Sequence, residues 1–178
     1  MEEIKRINRE LKYKGQIVEM YEDTMKLPNG NIVHWDFIKH MGAAAVVPVR
    51  ADGKIVMVRQ YRNAMEKEIL EIPAGGLNFA GEEKSICAIR ELEEETGYKS
   101  DNVEWLINVN TTVAFCNEII EIFVARDLKM AERNLDENEF VDVEVYSIEE
   151  LLDMIYTGEI TDGKTIAALT AYYVKYCR

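Results

Sequence analysis

Residues 76–98 read GLNFAGEEKSICAIRELEEETGY, and this stretch decides how the rest of the chain is read. Ile86, Ile89 and Leu92 recur at intervals of three, which predicts a helix over 82–96 with those residues on its apolar stripe. Gly97 stands where a left-handed C-terminal cap belongs. Glu91 and Glu95 are four apart and therefore share one face, one turn above the other, with Glu94 flanking it. Like charges at that spacing repel by roughly a few tenths of a kcal/mol per pair. Arg90 supplies one positive charge, too few for the three glutamates. A hard divalent cation fits better, because Mg²⁺ takes oxygen ligands, often one or two carboxylates plus the phosphates of a substrate. No His/Cys cluster competes for a softer metal. The bland alternative is a solvated acidic face, the usual fate of a charge run.

Working outward, strand-like segments surround this helix. Residues 11–40 read as extended pieces, joined by the turn signal Leu27-Pro28-Asn29-Gly30-Asn31. Residues 43–49 suit a buried strand. Asp52-Gly53 marks a second turn, followed by an alternating strand over 54–61. Further strands are expected near 68–72, 103–110, 118–126 and 141–146. Ser147-Ile148-Glu149-Glu150 has the form of a capping box opening a helix to about Ile155, and Thr161 or Asp162 can cap a last helix. Strands early and helices later give an α/β (α+β) domain with a mixed sheet. Residues 1–40 are expected to form a separate N-terminal β segment, and 41–178 the main domain.

The chain has 178 residues, enough to bury a core without staples. Its 21 basic and 33 acidic residues give a formal net charge of −12. That charge argues against nucleic acid polymers and anionic membrane as partners. It also sits awkwardly with an anionic small substrate unless positive charge is borrowed. The start shows no signal-peptide pattern, and no apolar run is long enough to span a bilayer. Cys87, Cys116 and Cys177 form no CxxC and no disulfide framework, so a cytoplasmic home is expected.

The spacing Gly76-x5-Glu82-x7-Arg90-Glu91-Leu92-x-Glu94-Glu95-x-Gly97 resembles the Nudix box, with Tyr98 where the family has a bulky aliphatic residue. The resemblance to Nudix hydrolases implies an α/β/α sandwich with a mixed sheet. It also implies Mg²⁺- or Mn²⁺-dependent cleavage of nucleoside diphosphates linked to another group. Position by position, it makes Glu91, Glu94 and Glu95 metal ligands and Arg90 the arginine that orients them. It makes Glu82 a supporting glutamate, and a loop carbonyl at Gly75, or Ala74 if the loop slips, a further ligand. Leu27-Pro28-Asn29-Gly30, Gln60-Tyr61-Arg62 and Glu71-Ile72-Pro73-Ala74-Gly75 resemble the ADP-ribose pyrophosphatase branch, which also includes GDP-mannose and related nucleotide-sugar enzymes. In that branch the N-terminal sheet often exchanges across a homodimer. Arg62 would contact phosphate, with Glu71 and Trp35 also on the substrate side; Trp35 offers a ring for adenine.

A second acidic cluster, Asp136-Glu137-Asn138-Glu139, precedes the strand at Val141. By resemblance Glu137 is the general base and Glu139 a further metal ligand, with Glu118 the rival base. A nucleotide-binding sensor without turnover is the reading of another class, although such proteins commonly lose box glutamates and this chain keeps them. Many ADP-ribose enzymes of the family carry a proline after the box. Here all three prolines, Pro28, Pro48 and Pro73, precede it, which leaves other nucleotide sugars and dinucleotides open.

Residues 158–165, GEITDGKT, match a phosphate-binding loop letter for letter. Such a loop must follow a strand inside a βαβ unit. This one follows a helix, and Glu159 and Asp162 would repel phosphate, so it reads as a helix stop and the cap of the next helix. His34 and His40 read as structural, and Cys116 as a thiol without a histidine partner.

Overall fold

Turn chemistry organises the first part of the computed structural model, which describes residues 3–135 and 139–178. Two compact units divide the chain: 1–42 with 110–119, and 43–109 with 120–178. In the first, β1 (Lys5–Lys14), β2 (Glu19–Lys26) and β3 (Ile32–Lys39) form an antiparallel meander. The β2–β3 turn is the one expected: Gly30 adopts φ 86°, and Asn29 Oδ1 accepts the Asn31 N–H at 3.0 Å. The register puts Arg9, Asp23 and Trp35 side by side, next to Leu11, Tyr21 and Phe37. Arg9 donates twice to buried Asp23, at 2.6 and 2.5 Å, and its guanidinium lies 3.6 Å from the centre of the Phe37 ring. β1 begins well before residue 11, since its polar, lysine-rich sequence carries little alternation to read.

In the second unit, β4 (Ala43–Pro48), β5 (Ile55–Arg62), β6 (Lys67–Glu71) and β7 (Ala74–Gly76) lead into α1 (Lys84–Thr96). Then follow β8 (Tyr98–Lys99), β9 (Asn102–Asn110), β10 (Ile119–Arg126), β11 (Lys129–Met130), β12 (Val141–Tyr146), α2 (Ile148–Thr157) and α3 (Gly163–Tyr176). β4 pairs parallel with β10 and antiparallel with β7, so the β7-β4-β10-β9 sheet is mixed. β12-β5-β6 forms a second, antiparallel sheet.

Strand alternation sets the layers. Ala43, Ala45 and Val47 of β4 and Ile120, Ile122 and Val124 of β10 pack with Leu151, Leu169 and Tyr172 of α2 and α3. The alternate residues Ala44, Val46, Phe123 and Ala125 pack with Cys87, Ala88 and Leu92 of α1. The unit is thus an α/β/α sandwich, as the resemblance implied. Ser147 and Glu150 form the complete capping box at α2, Gly158 closes it with φ 78°, and Asp162 caps α3 through the Thr165 N–H.

One expectation is corrected on α1. Ile86 is 56% exposed; the inner face carries Cys87, Ala88, Glu91, Leu92 and Glu95. Leu92 of the expected set is fully buried and Ile89 half-buried, while the rest of the inward face escaped the apolar periodicity because two of its positions are glutamates. Strands β7, β8 and β11 were not foreseen, since two or three residues are too short to show a period. We predict that Leu169→Ala, which empties a fully buried position, lowers stability by about 3 kcal/mol. Ile86→Ala changes it by under about 0.5 kcal/mol. Chemical denaturation of both variants checks the buried position on α3 and the outward position on α1.

Candidate active site

Arg90 is the node of the site. On α1 its Nη1 donates to Glu91 Oε1 at 2.7 Å and to Glu94 Oε2 at 2.8 Å. Nη2 donates to the Gly76 carbonyl at 3.0 Å. Nε lies 3.5 Å from Glu82 Oε1, whose other oxygen accepts the Asn78 N–H at 2.7 Å. One guanidinium therefore ties three glutamates to the loop that precedes the helix. Burial works against that charge, yet Glu91 and Glu94 more than offset it, and the arginine's pKa is raised.

The other glutamates point inward. Glu95 is 2% exposed; its Oε2 accepts the Ala74 N–H at 3.0 Å and its Oε1 the Gln60 Nε2 at 3.4 Å. Burial first, and the charge of Glu91 second, push the Glu95 carboxyl up to about 8, with Glu139 acting in the same direction. Glu91 is also raised, chiefly by burial, with Arg90 opposing and Glu94 and Glu139 reinforcing. Gly75 packs directly against the Glu91 carboxylate, where any Cβ would overlap it. Cys87 lies among the same carbonyls, its Sγ 3.5 Å from Gly76 O, and burial pushes its thiol up to about 11, which keeps it protonated at neutral pH.

A divalent cation fits this set. The donors are all oxygen, two of the carboxylates are buried, and Glu91, Glu95 and Glu139 oppose one another's charge. Among the described residues no three metal-binding side chains converge as a ready-made cage. Mg²⁺ needs none, as it commonly keeps water and takes phosphate oxygens.

A second ionic cluster adjoins the first. Glu71, at the end of β6, is almost fully buried and accepts from Arg62 Nε at 2.6 Å and Nη2 at 2.8 Å. Lys164 Nζ also donates to Glu71, and to Asp162 at 2.9 Å. Burial raises the Glu71 carboxyl, but the two cations prevail and hold it below its ordinary value. Thr165 donates to Asp162 and accepts the Ile72 N–H at 3.0 Å. The loop-like motif of residues 158–165 is thus a helix stop and a cap, as expected. Its Lys164 and Thr165 nonetheless have a specific task that the motif reading missed.

The described structure thus brings Arg62, Glu71, Gly75, Arg90, Glu91, Glu94 and Glu95 into adjoining clusters. Glu139 bears electrostatically on Glu91 and Glu95. Glu137 lies outside the described residues. Trp35 and Glu118 belong to the N-terminal unit: Trp35 is half-exposed on β3, and Glu118 accepts from Thr111 Oγ1 at 2.7 Å and lies 3.3 Å from His40 Nδ1. Arg133 was not foreseen. It donates to the Glu95 carbonyl at 2.8 Å and to the Val141 carbonyl, tethering residue 133 to α1 and β12.

The NUDIX domain family model matches residues 39–169, so the chain belongs to the Nudix family. Members of that family are generally dependent on divalent metals. The chain is 43% identical over 169 residues to a methanol dehydrogenase activator of Bacillus methanolicus, covering 94% of this chain and 91% of that one. It is 40% identical over 176 residues to an ADP-ribose pyrophosphatase of Bacillus subtilis (98% and 92% covered). It is 32% identical over 137 residues to a GDP-mannose pyrophosphatase of Yersinia enterocolitica, covering 72% and 71%. A crystal structure of an ADP compounds hydrolase shares the fold at TM-score 0.87 and 19% identity, covering 98% of this chain and 94% of that one.

Two outcomes follow from the geometry. Gly75→Ala must displace the Glu91 carboxylate, and we expect Mg²⁺ to raise the thermal midpoint at a concentration at least about tenfold higher than in the parent, with the far-UV circular dichroism unchanged. For Glu71, whose folded pKa is depressed, the stabilising contribution is complete above the unfolded value of 4.5 and drains away as pH falls through the lower folded value. Glu71→Gln therefore costs about 3 kcal/mol at pH 7 and flattens the acid limb of a stability–pH curve.

Proposed function

We propose that this protein hydrolyses a nucleoside diphosphate linked to a sugar, most favourably ADP-ribose to AMP and ribose 5-phosphate, with Mg²⁺ or Mn²⁺ as cofactor. The observation that carries the reading is the buried glutamate face of α1, tied by Arg90 to the Gly76 carbonyl at the end of β7. The 40% identity to an ADP-ribose pyrophosphatase over nearly the whole chain favours that substrate. GDP-mannose or another nucleotide sugar or dinucleotide is the alternative, in keeping with the Yersinia relative.

In this reading Glu91 and Glu95, with Glu94, Glu139 and the Gly75 carbonyl, hold the cation. When bound, it neutralises diphosphate oxygens and lowers the pKa of a coordinated water. Arg90 keeps Glu91 and Glu94 aimed while the site is empty of substrate, since it holds both carboxylates at once. Arg62 meets a phosphate through its guanidinium. Glu137 takes the proton of the attacking water, with Glu118 as the rival base. Water forms a new P–O bond as the P–O–P bridge breaks. The bridging oxygen leaves with one product, and both protons of the water end on the two phosphates or the solvent. Trp35 stacks on the base. Residues 1–40 act as a β segment that pairs across a homodimer, supported by the aromatic and aliphatic row Leu11, Tyr21, Phe37 and Trp35 on one sheet face.

No helix of the described structure is long and apolar enough to cross a membrane. The net charge of −12 argues against nucleic acid polymers and anionic membranes as partners, and the absence of a CxxC or disulfide framework in the sequence supports a cytoplasmic location. A regulatory reading has one observation behind it, the activator from Bacillus methanolicus at 43% identity. Glu91→Gln and Glu95→Gln, assayed with ADP-ribose and Mg²⁺, are each expected to lose at least about a hundredfold in kcat. Full activity in both sinks the assignment. Release of product from ADP-ribose, GDP-mannose, ADP-glucose, NADH and diadenosine polyphosphates ranks the substrates. Tight ADP-ribose binding by calorimetry, without turnover in either metal, would establish the sensor reading instead.

A further inference from the structure

The ionic cluster around Glu71 is larger than a substrate contact requires. Glu71 is a nearly fully buried carboxylate shared by two cations from distant parts of the chain, Arg62 at the end of β5 and Lys164 in the first turn of α3. Asp162, which caps α3, takes the second hydrogen bond of Lys164. Thr165 fastens the same helix end to the Ile72 N–H. From Ile72 only Pro73 intervenes before Ala74, whose N–H holds Glu95. On β5, Gln60 and Arg62 are two apart and share a face, and Gln60 donates to Glu95. Arg62 therefore stands beside the glutamate centre, with its Nε and Nη2 edge bound to Glu71.

A guanidinium bound to a carboxylate along one edge cannot give that edge to a phosphate, and the full negative charge of Glu71 would cancel its attraction for an anion. Lys164 divides that charge. We propose that Lys164 is a positioning residue: by sharing Glu71 it fixes the side chain of Arg62 and leaves it enough positive character to bind the diphosphate of the substrate. This rests on the hydrolase reading above. The 158–165 motif thereby contributes to phosphate binding at second hand, through Glu71 and Arg62, and not by cradling phosphate itself.

The test is a double-substitution cycle in the full-length protein: Lys164→Met, Lys164→Arg, Arg62→Ala and Lys164→Met with Arg62→Ala. Each is assayed with ADP-ribose and Mg²⁺ and titrated with ADP in Mg²⁺ by calorimetry. Lys164→Met is expected to raise KM and the ADP dissociation constant about tenfold with kcat within about twofold. Lys164→Arg restores both. In the Arg62→Ala background Lys164→Met adds nothing further, since its effect passes through Arg62. An unchanged KM and ADP affinity in Lys164→Met overturns the proposal, as does an equal rise whether or not Arg62 is present. If the parent binds ADP but does not turn over ADP-ribose, the hydrolase reading fails and the ADP isotherms alone decide the role of Lys164: non-additive losses support it, while additive losses or none overturn it. Absence of ADP binding overturns both. Should Lys164→Met not fold, Lys164→Gln takes its place in the same cycle.

Discussion

Two buried glutamates on the inward face of one helix, only one of them met by a guanidinium, are the constraint on which the rest of this structure turns. An ionised carboxylate leaves water at a cost of several kcal/mol unless charges and hydrogen bonds compensate it. Arg90 covers Glu91 and Glu94, while Glu95 depends on a backbone N–H and a glutamine amide. The balance is incomplete, as the raised carboxyls of Glu91 and Glu95 show. A helix built this way is poorly satisfied by itself and well matched to a divalent cation.

That constraint reaches into the backbone. Gly75 has no side chain where the Glu91 carboxylate lies, and its neighbour Ala74 points its N–H at Glu95. The short strand Ala74–Gly76 is pinned to β4 on one side, and its lead-in is pinned through Ile72 to Thr165 of α3. Residues 71–76 thus act as a strap between two ionic clusters, one of excess negative charge around α1 and one of matched charge around Glu71. The helices lie on opposite faces of the mixed sheet, α1 against Ala44 and Val46 and α3 against the alternate residues of β4, and the strap crosses from one layer to the other.

The net charge of −12 takes on a local meaning here. Part of it is concentrated in the carboxylates around α1, where a metal–diphosphate complex suits the site better than a free anion. Elsewhere acidic residues are paired across strands or loops, as Asp23 is with Arg9 and Glu144 with Arg59. Much of this was open to reading in the chain. Strands with clear alternation, the glycine turns at 30 and 53, the Gly97 cap and the Ser147 capping box all stand where local chemistry put them. The inward face of α1 was read only in part, through Leu92, because the residues that mark it include Glu91 and Glu95, and a hydrophobic period cannot register a buried charge.

The sequence by itself determined the order of the longer elements, the turns and caps that end several of them, and the spacing that sets Glu91 one turn from Glu94 and Glu95, beside Arg90. These are local properties, fixed by the 3.6-residue repeat of a helix and by the backbone preferences of glycine, serine and aspartate. Only the tertiary structure decided what lies across from them. It set Gly75 against Glu91, Gln60 against Glu95, and Lys164 against Glu71 over a separation of 93 residues. Pairings of that kind depend on how the sheet and helices stack, and no periodicity along the chain encodes which distant cation will meet a buried carboxylate.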